Sequence, residues 1–120
     1  KKNYLIINYK KKISEALIYL KKNGQKCLVV SNDKGKLFGT LSDGDIRNYI
    51  LKSNNLNLPV SKISNIKPKF IYNSDLNKKK INNLFIRNRI SLIPIIGSNN
   101  KILQVLTKED IKRDNFNYNI

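Results

Sequence analysis

Apolar residues in the first half of the chain alternate between the spacing of strands and the spacing of helices. Short apolar runs predict strands at residues 5–8, 26–31 and 36–41. A polar turn containing a glycine, at residues 32–35, predicts that the last two strands form a hairpin. The first helix is predicted by apolar residues at i, i+3, i+4 and i+7, namely Ile13, Ala16, Leu17 and Leu20. A second helix is expected to begin after Ser42.

The second half of the chain repeats this order of elements. Apolar runs predict strands at residues 69–72, 90–96 and 102–106. A helix is expected after the first of these strands, with Ser74 as its N-cap. Its buried face is predicted to consist of Ile81, Leu84 and Phe85. A last helix is expected from Thr107 onward.

The repeated order of elements predicts an internal duplication. Each half reads strand, helix, strand, strand, helix, which gives an α+β fold of two β-α-β-β-α repeats. We assign the first repeat and its connector to residues 1–58, and the second repeat and a polar C-terminal tail to residues 59–120. Because neither small sheet can bury its apolar face alone, the repeats are expected to pack together about a pseudo-two-fold axis.

The same short motif, a hydroxyl residue three positions before an aspartate, stands at a strand-to-helix junction in both halves. Ser42 precedes Asp45, and 65 residues later Thr107 precedes Asp110. The spacing is typical of a capping box, which closes a helix start. It also fits a nucleotide site, because a carboxylate can accept two hydrogen bonds from a ribose diol and helix N-terminal amides favour phosphate. Gly39, in the strand before the first motif, predicts a bulge or the close approach of another group.

Composition narrows the possible chemistry. With 40% hydrophobic residues among 120, the chain can form a modest core, and no apolar run approaches the ~20 residues of a membrane span. Cys27 is the only cysteine and histidine is absent, so disulfides, zinc sites and Cys-His catalysis lack their usual residues. We expect Cys27 to be a small core residue and the protein to be cytoplasmic. The chain opens on Lys1 rather than methionine, which favours a fragment of a longer protein.

The net charge of +16 raises the alternative of nucleic-acid binding. The lysines are scattered along the chain, and aromatic residues are not interleaved with arginines as a stacking surface would require. Nucleic acid is therefore not the expected partner. Salt-dependent binding of RNA or DNA would be the observation in its favour.

Two stretches resemble the repeats of a CBS-domain pair, also called a Bateman module. The first stretch is KCLVVSNDKGKLFGTLSDGDIRNYI, and the second is RISLIPIIGSNNKILQVLTKEDIK. The resemblance implies a regulatory, non-catalytic module that has no cofactor and binds AMP, ADP or ATP in clefts between repeats. It implies that Asp45 and Asp110 hold ribose hydroxyls, with Ser42 and Thr107 near the phosphates. It also implies association as a homodimer.

The string GTLSDGDIR is similar to CBS pairs that precede a sugar-phosphate nucleotidyltransferase domain. That resemblance implies a fused catalytic domain beyond Ile120. The main alternative for the module itself is a structural or dimerisation role with no bound ligand.

Several positions depart from the family pattern or extend it. Gln104 stands where a glycine is expected before the second motif, which predicts a more crowded second site. Arg47 and Lys112 occupy matched positions where they could reach phosphates, or could simply form a solvated helix face. Further phosphate candidates are Lys69, Arg87 and Arg89.

Overall fold

The computed structural model describes residues 4–88 and 90–112 of the chain. Backbone contacts divide the chain into two compact units, Lys1–Pro68 and Lys69–Ile120. This division falls later than the predicted repeat boundary after residue 58. The reason is that Pro59 pairs with Lys12 as an isolated β-bridge and Val60 is fully buried in the first core.

The first unit contains the predicted strand-helix-strand-strand-helix order. Its elements are β1 (Ile6–Asn8), α1 (Ile13–Asn23), β2 (Cys27–Ser31), β3 (Leu37–Ser42) and α2 (Asp43–Ile50). The sheet order is β1-β2-β3, with β1 parallel and β3 antiparallel to the central β2. Helix α1 ends at Gly24, whose φ of 70° lets its amide donate to the Leu20 carbonyl.

The second unit repeats that order with a shorter first strand. Its elements are β4 (Ile71–Tyr72), α3 (Lys78–Asn82), a π-helical turn (Asn83–Arg87), β5 (Leu92–Ile96), β6 (Ile102–Thr107) and α4 (Lys108–Lys112). The sheet order is β4-β5-β6, with the same parallel and antiparallel pairings. The predicted α+β fold with two repeated sheets is therefore confirmed. The predicted polar tail at residues 114–120 lies outside the described residues.

Proline explains why β4 is shorter than β1. In the first unit the Val29 amide donates to the Leu5 carbonyl at 2.9 Å, and Val29 pairs with Ile6. Pro94 takes the matching place in β5, opposite Val105, and has no amide hydrogen to donate. Pairing between β4 and β5 accordingly begins only at Ile95.

The start of α3 corrects the predicted N-cap. Asn77 caps this helix, since its side-chain Oδ1 accepts from the Lys80 amide at 2.9 Å. Ser74 lies earlier, in a 3₁₀ turn at Asn73–Asp75. Both residue types are good N-caps, so the sequence alone could not choose between them.

Each unit has its own apolar core. The first core packs one face of the β1-β2-β3 sheet against α1 and α2, through Ile7, Ile13, Ala16, Leu28, Val30, Leu41, Ile46 and Val60. The second is built from Ile71, Leu76, Ile81, Phe85, Ile93, Ile95 and Leu106. The predicted helix faces are confirmed at Ile13, Ala16, Ile81 and Phe85, whereas Leu17 remains 36% exposed.

Candidate functional site

The first Ser-x-x-Asp motif forms a complete capping box at the start of α2. The Ser42 Oγ accepts a hydrogen bond from the Asp45 amide at 3.0 Å. In return, the Ser42 amide donates to Asp45 Oδ2 at 2.9 Å. Both side chains are half-buried. The β3-to-α2 junction therefore brings a hydroxyl and a carboxylate together at the positive end of a helix, as the sequence predicted.

The second motif forms the equivalent strand-to-helix corner in the second unit, where its two residues are more buried. Asp110 Oδ2 accepts from the Thr107 amide at 2.8 Å and from the Thr107 hydroxyl at 3.2 Å. Thr107 is only 6% exposed and Asp110 only 8%. Thr107 and Asp110 therefore lie together as predicted, but one carboxylate oxygen of Asp110 already serves two donors within the motif.

Gly39 marks a backbone crossing in the first unit. A Cβ built on Gly39 would lie 2.3 Å from the carbonyl oxygen of Asn65. The Asn65 backbone is held there by Thr40, whose amide donates to Asn65 at 3.0 Å and whose carbonyl accepts at 2.8 Å. The β-ladder also shifts register next to this point, between Val30 and Ser31. Both expectations for this glycine, a bulge and a close approach, are confirmed, and Asn65 is the approaching group.

Gln104 takes the place of Gly39 in the second hairpin. Gly39 pairs with Val30 and Gln104 with Ile95, each immediately beyond a register shift. The Gln104 side chain is exposed, whereas Gly39 is buried. The two hairpins therefore differ at this position, and the crowding of the second site by Gln104 stays a prediction.

The predicted phosphate-binding cations have different surroundings. The Arg47 guanidinium pairs with the Asp43 carboxylate on the exposed face of α2. Lys69 and Arg87 are exposed side chains of the second unit. Arg89 and the side chain of Lys112 lie outside the described residues. The pairing of Arg47 fits the solvated helix face that the sequence left open as its alternative role.

Cys27 lies beside the first corner, which the sequence did not indicate. It pairs with Ser42 across the β2–β3 hairpin and is half-buried rather than fully enclosed. Burial raises the pKa of its thiol to about 11, with a smaller contribution from the nearby Asp45 charge. The thiol is therefore protonated and a poor nucleophile at neutral pH.

Within residues 4–88 and 90–112, no three His, Cys, Asp or Glu side chains converge as a metal site. In the same part of the chain, no helix is both long and apolar enough to cross a bilayer. Asp45 and Asp110 each hold the start of their helix through the carboxylate oxygen Oδ2. Each carboxylate could keep this hydrogen bond while it also accepts hydrogen bonds from a ligand.

The sequence of the first half of the chain matches a known family. Residues 1–52 match the family model described as "CBS domain". An uncharacterized protein of Helicobacter pylori strain J99 is 33% identical over 92 residues, which cover 77% of this chain and 28% of that protein. A second uncharacterized protein, from Helicobacter pylori strain 26695, is 32% identical over the same coverage. The chain thus spans little more than a quarter of the length of these relatives.

Solved structures extend the match over both units. A CBS domain pair/ACT domain protein from Thermotoga maritima has a TM-score of 0.77 at 12% identity, covering 93% of this chain and 88% of that one. The chain has the fold of a CBS-domain pair. The chain is also similar to two CBS proteins solved in complex with AMP, one from Pyrobaculum aerophilum (TM-score 0.72, 18% identity, 92% and 85% covered) and CBSX2 (TM-score 0.72, 20% identity, 92% and 91% covered).

The CBS fold accounts for the doubled corner. In this chain each unit presents one hydroxyl-aspartate motif where its hairpin passes into its last helix. The family-model match covers the first motif and stops before the second, so the equivalence of the second unit depends on its strand order and hairpin register.

Proposed function

We propose that this CBS pair is a regulatory module that binds an adenine nucleotide and catalyses no reaction itself. The observation that carries the proposal is the paired corner, in which Asp45 and Asp110 hold carboxylates at helix starts. Support comes from proteins of the same fold that were solved in complex with AMP. Ser42 and Thr107 are the proposed neighbours of the phosphates.

Asp45 is the stronger candidate for contact with ribose. Asp45 is half-buried, and its Oδ2 atom accepts a hydrogen bond from the Ser42 amide. The carboxylate therefore remains partly accessible to a ribose diol. Asp110 is more enclosed, and the Thr107 hydroxyl already donates to it. Gly39 then contributes by letting the Asn65 backbone lie close to the strand before Ser42. Arg47 is a phosphate contact only if it leaves Asp43.

The regulated enzyme is proposed to be a fused or partner sugar-phosphate nucleotidyltransferase. The support is the string GTLSDGDIR around Asp45, together with the greater length of the Helicobacter relatives. A cytoplasmic location accompanies this proposal, because adenine nucleotides and nucleotidyltransferases are used there.

The decisive experiment measures thermal shifts of the chain with AMP, ADP, ATP, GTP and S-adenosylmethionine. An adenine nucleotide at a hundredfold excess over its Kd should stabilise the fold by about 2.7 kcal/mol, a shift of several degrees. We expect Asp45→Ala to remove most of this shift and Asp110→Ala to remove less of it.

Each variant is compared with its own ligand-free melting temperature, because losing a capping carboxylate also destabilises the fold. Asp33→Ala is the matched control, since Asp33 is an exposed aspartate at the other end of the hairpin. Asp45→Asn serves if the alanine variant does not fold. Absence of a shift with every nucleotide, or an equal loss from Asp33→Ala, would contradict the proposal.

A structural, dimer-forming module without ligand is the second candidate. Large apolar side chains are exposed on the first unit at Leu17 (36%), Ile18 (54%), Ile50 (43%) and Leu51 (85%). If they form a homodimer contact, Ile18→Glu with Leu51→Glu should give a monomer in analytical ultracentrifugation. Leu103→Glu, at an exposed leucine of the second unit, is the control that should leave the dimer intact.

A further inference from the structure

An open groove runs along the outer side of α3 and the π-helical turn, within the second unit. Its volume is about 650 Å³, and its lining consists of Asn77, Lys79, Lys80, Asn82, Asn83, Ile86 and Arg87. We call this surface the α3 groove. It is separate from the Ser42–Asp45 and Thr107–Asp110 corners, because none of those residues lines it.

The α3 groove carries positive charge without a carboxylate in its lining. Lys79, Lys80 and Arg87 are all exposed. Lys80 approaches Asp75 at 3.7 Å, a distance typical of a weak surface pair. No described residue forms an ion pair with Lys79 or Arg87. Two cations are therefore available to an anionic partner at this groove.

The π-helical turn gives the groove an apolar element. The Asn88 amide donates to the Asn83 carbonyl at 3.4 Å, which is the i-to-i+5 bond of a π-helix. Within this widened turn Ile86 is 74% exposed. Such turns occur often at functional sites in other proteins. An exposed isoleucine beside three cations favours an occupant that is both acidic and apolar.

We propose that the α3 groove binds an acidic, amphipathic segment of a partner protein. A second copy of this chain is a poor occupant, because a two-fold contact through this groove would bring Lys79 and Arg87 against the same cations of the other copy. A nucleic-acid strand is less suitable, because no aromatic side chain lines the groove for base stacking. A helix with glutamates on one side and leucines on the other matches both the cations and Ile86.

The test uses the whole chain and a fluorescein-labelled peptide of about four helical turns, with glutamates on one face and leucines on the other. Fluorescence anisotropy should report saturable binding that weakens as NaCl is raised. A peptide of the same composition with a scrambled order should bind roughly tenfold more weakly, because its apolar face is lost. Lack of saturable binding up to ~100 µM would overturn the proposal.

Charge reversal locates the binding surface. Lys79→Glu with Arg87→Glu should weaken the peptide at least about tenfold. The matched control is Lys52→Glu with Lys67→Glu, which makes the same charge change at two exposed lysines of the first unit. Equal weakening by both double variants would mean attraction to net charge alone and would overturn the proposal. Circular dichroism checks folding, and glutamine replaces glutamate at any position that does not tolerate the acid.

Two further measurements distinguish a peptide from a nucleic-acid strand as the ligand of the α3 groove. Ile86→Ser should weaken the peptide several-fold while leaving the affinity for inorganic polyphosphate unchanged. A single-stranded oligonucleotide of equal charge should bind more weakly than the peptide and should respond equally to the two double variants. Tighter oligonucleotide binding that only the Lys79/Arg87 variant disturbs would assign the α3 groove to nucleic acid instead.

Discussion

Position 39 needs a glycine because the backbone of Asn65 crosses directly beside it. The Asn65 carbonyl occupies the space where any other residue would carry its Cβ. The crossing depends on a bridge between Thr40 and Asn65, which are far apart in sequence. The sequence could therefore indicate a special glycine but not its partner.

Replacing Gly39 tests this crossing. Gly39→Ala should destabilise the fold by about 1–3 kcal/mol, because the added Cβ would lie 2.3 Å from a backbone oxygen that must move. Gly44→Ala is the matched control, since a Cβ there meets no atom closer than 3.7 Å and lies in α2. The control should be neutral or stabilising. Urea unfolding measures both, and equal destabilisation would contradict the crossing.

The Cys27 thiol predicts a pH dependence. Its pKa is raised from an unfolded value of about 8.5 to about 11 in the folded chain. A raised folded pKa means that the stabilising contribution of the neutral thiol is complete below the unfolded value and is lost as pH rises toward the folded one. The free energy of unfolding of the wild type, relative to Cys27→Ala, should fall between pH 8 and pH 10. A constant difference would contradict this.

At the scale of elements, the two hairpins share one register and differ in local detail. Positions 65 residues apart pair alike, with Cys27 opposite Ser42 and Leu92 opposite Thr107. The turn types differ: Gly35 has a φ of 76° in the first hairpin, whereas Asn99 and Asn100 adopt φ near 65° and 61° in the second. Glycine and asparagine both tolerate this left-handed region, which is why either residue can occupy such a turn.

The cap of α3 gives an element-scale prediction. Asn77→Ala should destabilise the second unit by about 1 kcal/mol, because the Lys80 amide loses its acceptor. Ser74→Ala should have almost no effect, since Ser74 is exposed and precedes the helix. Thermal unfolding of the two variants measures the difference. A larger loss from Ser74→Ala would favour the sequence-based choice of cap.

At the scale of the whole molecule, charge is the dominant global property. The net charge is +16 on 120 residues, so the positive side chains repel one another in the compact fold and lower its stability. Raising NaCl from about 0.01 M to 0.15 M shortens the screening length from about 30 Å to 8 Å. We expect the melting temperature to rise by several degrees, with no such rise in a neutral osmolyte of equal osmolality. A falling melting temperature would mean that surface ion pairs outweigh the repulsion.

The sequence by itself determined the order of the elements, the doubled hydroxyl-aspartate corner and most of each core. These features depend on periodicity, turn residues and capping, which act over a few neighbouring positions. The corner residues Ser42, Asp45, Thr107 and Asp110 could be found for the same reason, because each pair lies within one turn of helix.

Only the tertiary structure decided which residues oppose those corners. It brought Asn65 across Gly39, set Cys27 beside Ser42, and included Pro59 and Val60 in the first unit. It also formed the α3 groove from side chains that the sequence presented as scattered charges. These outcomes depend on the close approach of distant segments and on the fit of their packing, for which a single sequence gives no local signal.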